Sequence, residues 1–198
     1  MVHGCFVQLP LPKQLSHIDV ATLFPAAKDV DGFHPDNLRA MVIGNEKSGL
    51  MPCTPKGIMS LLRHYKFDAA GKAAVVIGRS MIVGKPMAMM LTNANATVSL
   101  CHSKTKDLSH FTKTADLIVV AVGSKDFLKA QHIGTNKPWI IDVGQNVVDD
   151  CLYGDVAYET FTKCGAITPV PGGVGPMTIC SLGENLLQAV ALCQEKNS

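Results

Sequence analysis

The sequence predicts an α/β fold built on a doubly wound parallel sheet, and three observations predict it. Four short runs rich in apolar and β-branched residues, at 73–77, 96–101, 116–123 and 139–144, alternate with helix-length segments. Continuous rather than alternating apolar runs suit parallel strands covered on both faces. The first run, AAVVI, breaks into Gly78-Arg79-Ser80, passes Gly84 and Pro86, and continues as apolar residues that fit one helix face, which reads as strand, tight turn, helix. The third and fourth runs end in Gly123 and Gly144, at the carboxyl ends of strands where ligands of such sheets sit.

The corner at residues 78–84 is the element around which the rest is arranged. In a doubly wound sheet this corner carries the phosphates of a dinucleotide, because glycine admits close backbone approach and the helix start points amide hydrogens at the anion. The spelling Gly78-x-Ser80-x-x-x-Gly84 departs from G-x-G-x-x-G, so a Gly/Ser turn without a ligand stays open. Where the second strand ends, a NAD site wants an acidic residue for the ribose hydroxyls. The chain has His102, Ser103, Lys104 and Lys106 there, with Arg79 in the neighbouring turn. Such groups pair with a 2′-phosphate that a carboxylate would repel, which points to NADP. Lys104 and Lys106 in a solvated loop are the alternative.

Composition bounds the remaining classes. Hydrophobic residues make up 47% and charged residues 17% of 198, so large apolar faces need covering, internally or by a partner subunit. The longest apolar runs are strand-length, which implies no membrane-spanning helix. A formal net charge of +2 with scattered basic residues argues against a nucleic-acid protein. Seven cysteines, far apart and without C-x-x-C or zinc spacing, read as reduced core thiols of an intracellular protein, and no metal site is implied. No signal peptide precedes the strand-like run at the start, and a domain seldom begins in the middle of a core strand.

Residues 4–9 form that first apolar run, ended by Pro10 and Pro12, with Gln8 as an amide at the end of a buried strand that must find partners, a nearby backbone group included. In KDVDGFHP, residues 28–35, Asp29 and Asp31 would face opposite ways on an extended chain, so one at most enters a given pocket. Asx turns and caps explain most Asp-Gly pairs, whereas a buried carboxylate would grip a flat array of N–H donors. In PCTP, Thr54 is placed as a helix cap and Pro55 at the first helical position, with the helix running through 57–65. The run ITPVPGGVGPMT at 167–178 fixes an unusual path with little side-chain bulk, fit for main chain beside a flat ring or for a rigid interdomain turn. A terminal helix follows at 177–193.

The strings FVQLPLP, KDVDGFHP, CTPKGI, VVIGRSMIVGKPM, CHSKT and ITPVPGGVGPMT together resemble the bifunctional methylenetetrahydrofolate dehydrogenase/methenyltetrahydrofolate cyclohydrolase family, in that family's order and over nearly the whole chain. The resemblance implies a Rossmann-type sheet over 53–176, the remnant of an N-terminal α/β catalytic domain over 1–52, and a C-terminal helix, 177–198, that returns to close the catalytic domain. It implies NADP-linked oxidation of methylenetetrahydrofolate and hydrolysis of the methenyl product to formyltetrahydrofolate. Gly78, Arg79, Ser80 and Ser103 would hold NADP, with Gln145 touching it through its backbone. Val7, Gln8 and Leu9 would line the folate cleft, Gln8 and Asp31 would be catalytic, and Asp31 would also take the donors of the pterin ring. Pro171, Gly172, Gly173, Val174 and Gly175 would form the wall between folate and nicotinamide. The family's Tyr-x-x-x-Lys motif does not occur: Tyr65, Tyr153 and Tyr158 are each followed four residues later by something other than Lys. Cyclohydrolase activity is therefore expected to be absent or very weak, and roughly the first third of the family's length to be lacking. A homodimer, and a cytoplasmic or mitochondrial location, are implied by kinship. A non-catalytic NADP-binding or interaction module is the competing reading, and a shikimate- or amino-acid-type dehydrogenase a third.

Overall fold

Strand β1 (Ala73–Ile77) lies inside a five-stranded, all-parallel sheet, in the order β2 (Thr97–Cys101), β1, β3 (Leu117–Val120), β4 (Trp139–Asp142), β7 (Ala166–Ile167). This computed structural model describes residues 2–9 and 11–195. In chain order the elements are α1 (Pro35–Val42), α2 (Cys53–His64), β1, α3 (Gly84–Asn93), β2 (Thr97–Cys101), α4 (Leu108–Thr112), β3 (Leu117–Val120), β4 (Trp139–Asp142), the hairpin β5 (Asn146–Val148) and β6 (Cys151–Tyr153), β7 (Ala166–Ile167) and α5 (Val174–Glu195). The chain leaves β1 for β2 on one side and returns to β3 on the other. The strand order reverses between β1 and β3, and there the carboxyl ends part to leave a crevice.

Side chains sort onto the two faces with the period of two that a strand imposes. Ala74, Val76, Leu117, Val119 and Ile141 pack beneath α2 and α3, against Ile58, Leu62, Met87 and Leu91. Val75, Ile77, Ile118, Val120 and Ile140 pack on the opposite side, against Leu128, Ile133 and Val156. Both faces are thus buried, which is why the runs read as continuously apolar. Helix α5 crosses α2 closely: a Cβ on Gly57 would stand 2.8 Å from the Met177 carbonyl oxygen. None of the helices among the described residues is long and apolar enough to cross a membrane.

Several sequence expectations need correction. Residues 4–9 do not form a buried strand: Cys5 makes a single parallel bridge, donating to the Lys28 carbonyl at 2.7 Å and accepting from the Val30 amide at 3.1 Å. Gln8 is exposed and its amide donates only to the Leu9 carbonyl, at 3.1 Å, because no further strand lies alongside among the described residues. The predicted break at Pro10 lies outside the described residues. Thr54 does not cap α2, which starts one residue earlier. Its hydroxyl is shared with Thr178 of α5 at 3.1 Å. The cysteines are core thiols only in part, since Cys53 and Cys101 are buried while Cys151 and Cys180 are exposed. The hairpin β5–β6 has no counterpart among the predicted elements.

Candidate functional site

The corner after β1 is fixed by contacts that tolerate no side chain. Gly78 has φ +119°, and a Cβ there would stand 2.2 Å from the Ala121 carbonyl oxygen at the end of β3. Its amide donates to the Cys101 carbonyl of β2 at 2.9 Å, so one glycine ties the ends of three strands. A Cβ on Gly84 would lie 2.0 Å from the Gly78 carbonyl oxygen, which explains the second glycine. Ser80 supplies the cap: its hydroxyl oxygen accepts from the amides of Val83 at 3.1 Å and Gly84 at 3.3 Å. The first amides of α3 are therefore satisfied from within, while the Ser80 proton is left to donate outward.

Beside this corner a cavity of about 540 Å³ is bounded by Gly78, Arg79, His102, Ser103, Thr105, residues 121–122, Ser124 and Phe127. The turn after β2 is held by its own bonds, the His102 amide donating to the Thr105 hydroxyl at 2.9 Å and the Lys104 amide to His102 Nδ1 at 3.1 Å. Among the described residues neither the Arg79 guanidinium nor the Ser103 hydroxyl has a hydrogen-bond partner, and no carboxylate lines the cavity. Lys104 and Lys106 are exposed and outside its lining, in keeping with the solvated-loop alternative.

A second cleft, of about 600 Å³, opens between the end of β4 and the start of α5. Gln8, Gln145, Pro171, Gly172, Gly173, Val174 and Gly175 all line it, so residues far apart in sequence converge there. The amide of Gln145 faces Gly175, 3.6 Å from where a Cβ would stand. Gly172 has φ +101° with open space where a side chain would be, and a Cβ on Gly173 would lie 2.4 Å from the Pro169 carbonyl oxygen. The 170–171 peptide bond is cis.

Val7, Leu9, Asp29 and Asp31 border a third, much smaller depression. The two carboxylates share it, contrary to the extended-chain expectation, because residues 29–32 form a turn, closed by the Gly32 amide on the Asp29 carbonyl at 3.1 Å. Asp29 is consumed structurally: it accepts from the amides of Gly32 at 3.2 Å and His34 at 2.5 Å and from Asn37 Nδ2 at 3.4 Å. Asp31 lies near the Cys53 thiol, whose proton goes to the Val30 carbonyl at 3.2 Å. Burial pushes its carboxyl above the usual range; the thiol opposes this and the Asp29 charge adds to it. The Cys53 thiol is itself pushed far up by burial and by Asp31, which makes it a proton donor rather than a thiolate.

Sequence reasoning missed three buried polar residues. Asn185 of α5 donates to the carbonyls of Val30 at 2.9 Å and Met51 at 2.7 Å and accepts from Lys56 Nζ at 2.9 Å. Asp142 accepts from the amides of Gly144, Asp155 and Val156 at 2.8–3.0 Å. Burial raises its carboxyl, those amides lower it, and the Asp155 charge raises it further. Asp155, fully buried, accepts from the amides of residues 122–124. The space at Gly144 goes to Asp155 Oδ1, 2.3 Å from a would-be Cβ, and not to a ligand. The available signal was Asp142 as a carboxylate ending a buried strand.

Comparison with known proteins agrees with this geometry. The family described as tetrahydrofolate dehydrogenase/cyclohydrolase, NAD(P)-binding domain, matches residues 52–194. The bifunctional protein FolD of Campylobacter concisus is 50% identical over 198 residues, covering 99% of this chain and 69% of the relative. Its counterpart in Halalkalibacterium halodurans is 48% identical over 95% of this chain and 67% of its own length. Among solved structures, the bifunctional FolD dehydrogenase/cyclohydrolase of Campylobacter jejuni superposes with a TM-score of 0.87 at 50% identity, covering 94% of this chain and 66% of that one. The Trypanosoma brucei enzyme, solved with NADP cofactor and inhibitor, has a TM-score of 0.87 at 36% identity over 94% of this chain and 66% of its own. The chain spans about two thirds of the length of these relatives. With a switch-point crevice, a glycine-fixed corner and this degree of identity, the chain belongs to the tetrahydrofolate dehydrogenase/cyclohydrolase family and carries its NAD(P)-binding domain.

Proposed function

We propose that the chain forms the cofactor-binding part of an enzyme that oxidises 5,10-methylenetetrahydrofolate with NADP and passes the methenyl product on to hydrolysis to 10-formyltetrahydrofolate. The observation that carries the choice of NADP is the 540 Å³ cavity, in which Arg79, His102 and Ser103 converge with no carboxylate. A ribose 2′-phosphate meets one fixed positive charge and a hydroxyl donor there, and nothing repels it. Gly78 brings main chain to the pyrophosphate and Ser80 donates its remaining proton to it.

When bound, NADP supplies the hydride acceptor. The chain's own residues supply position: residues 171–175 give a thin wall of main chain in the 600 Å³ cleft, against which two flat rings can lie. Gln145 and Gln8 border that cleft from opposite ends of the sequence, and Val7 and Leu9 border the depression that holds Asp31. Asp31, when ionised, accepts the adjacent N–H donors of a pterin. Hydrolysis needs an activated water, and the Tyr-x-x-x-Lys motif that the family uses is not in this sequence. We assign residues 1–52 and the helix from 177 to the folate side and 53–176 to the cofactor side. Homodimer formation is proposed on the large exposed apolar residues, Val147 at 73% and Leu187 at 74% among them. A cytoplasmic location is proposed on the seven widely spaced cysteines, which show no C-x-x-C or zinc spacing.

Mixing the chain with NADP and methylenetetrahydrofolate and following the absorbance of reduced nicotinamide tests the reading. Hydride transfer without accelerated hydrolysis is expected. No turnover at high protein concentration would contradict it and favour a binding module.

A further inference from the structure

We propose that Asp155 is a positioning residue that sets the backbone of both halves of the dinucleotide site at once; the inference rests on the dinucleotide reading above. One carboxylate oxygen accepts from the amides of Val122 at 2.7 Å and Gly123 at 3.0 Å, and the other from the amide of Ser124 at 2.8 Å and from Asn146 Nδ2 at 2.9 Å. Val122 and Ser124 line the cavity beside Arg79 and Ser103. Asn146 follows Gln145, which lines the other cleft, and the same Asp155 oxygen fills the space at Gly144 where a Cβ would stand 2.3 Å away. One fully buried anion therefore sits between the loop after β3 and the loop after β4 and bonds to groups of both.

A buried carboxylate is tolerated only where its charge is met, and here three amides and a side-chain amide converge on it. Asp142 completes the arrangement from below, accepting from the Asp155 amide at 2.8 Å and from the Gly144 amide at 3.0 Å. Three successive amides that point inward at Asp155 cannot also point at a ligand. The loop is consequently curled with Gly123 at φ +68°, and its outer face is what the coenzyme meets. The carboxylate thus acts through the loops and touches neither substrate nor coenzyme.

Calorimetric titration of the whole chain with NADP and with its two halves, adenosine 2′,5′-bisphosphate and nicotinamide mononucleotide, tests this. The variants are Asp155→Asn and a control, Met90→Ala, which opens a cavity in the α1–α3 contact, among residues that line neither cleft. Each is titrated well below its melting temperature. Asp155→Asn should weaken both halves, and NADP by about tenfold or more, since an amide presents one acceptor and misplaces a donor. Met90→Ala should bind all three like the wild type. If Asp155→Asn does not fold, Asn146→Ala, which removes the side-chain donor to Asp155 together with its bonds to the Tyr153 and Gly154 carbonyls, should weaken both halves by about threefold. Loss confined to one half, or equal to that in Met90→Ala, overturns the positioning role. A wild type that binds neither half nor NADP sinks the dinucleotide reading itself and the positioning role with it.

Discussion

Arg79 stands in the corner after β1 with no acidic partner among the described residues, so its charge is available to an anion. Replacing it with Ala should weaken NADP by about ten- to a hundredfold, the range for one charged hydrogen-bonding group, and leave NAD unchanged; titration with both coenzymes reads the difference. Gly78→Ala places a Cβ 2.2 Å from a carbonyl oxygen at a left-handed φ, and should lower stability by about 2 kcal/mol or more in denaturant unfolding. Asp31 carries a pH dependence whose sign follows from its raised carboxyl. Ionising it costs more in the folded chain than in the unfolded one, so its contribution to stability is full below the ordinary carboxylate value and is lost as pH rises through the raised one. Asp31→Asn should therefore raise the melting temperature at neutral pH while abolishing folate binding. In the wild type, folate binding should begin to fail on acidification at a pH above the usual aspartate range.

At the scale of elements, α5 is held by polar contacts as much as by packing. Asn185, fully buried, clasps the segments at Val30 and Met51 and accepts a hydrogen bond from Lys56, whose ammonium also meets Glu184 at 3.1 Å. Asn185→Ala leaves the Met51 carbonyl without its partner and takes one partner each from the Val30 carbonyl, which keeps the Cys53 thiol, and from the Lys56 ammonium, which keeps Glu184; it should cost about 2 kcal/mol by thermal or urea unfolding. Elements long enough for an apolar pattern to develop were the legible ones: β1 at 73–77, the helix after Gly84 and the terminal helix all follow from apolar period and turn residues. The hairpin β5–β6 was illegible because its residues are exposed or half-buried and its strands are three residues long, so no periodicity develops. Thr54 misled because a hydroxyl before Pro looks like a cap; the partner it takes, Thr178, lies 124 residues away.

Over the whole molecule, the doubly wound sheet could be read because its strands pair with one another, whereas residues 4–9 could not. Their apolar side chains imply burial, yet Phe6 is 49% exposed, since burial of a strand depends on neighbours that the local sequence does not name. The candidate site was half legible for the same reason. Gly78 and Arg79 announce themselves in one turn, and Gln8, Gln145 and residues 171–175 converge only through the fold. The exposed apolar surface has a consequence in solution: light scattering should give twice the 21.1 kDa chain mass, and a monomer at all concentrations would refute the proposed dimer.

The choice of coenzyme rests on a cavity that offers a guanidinium and a hydroxyl where a carboxylate would select NAD. Side-by-side calorimetry of the unmodified chain with NADP and NAD tests it most directly. Binding of NADP at least about tenfold tighter than NAD is expected. Equal affinities would contradict it.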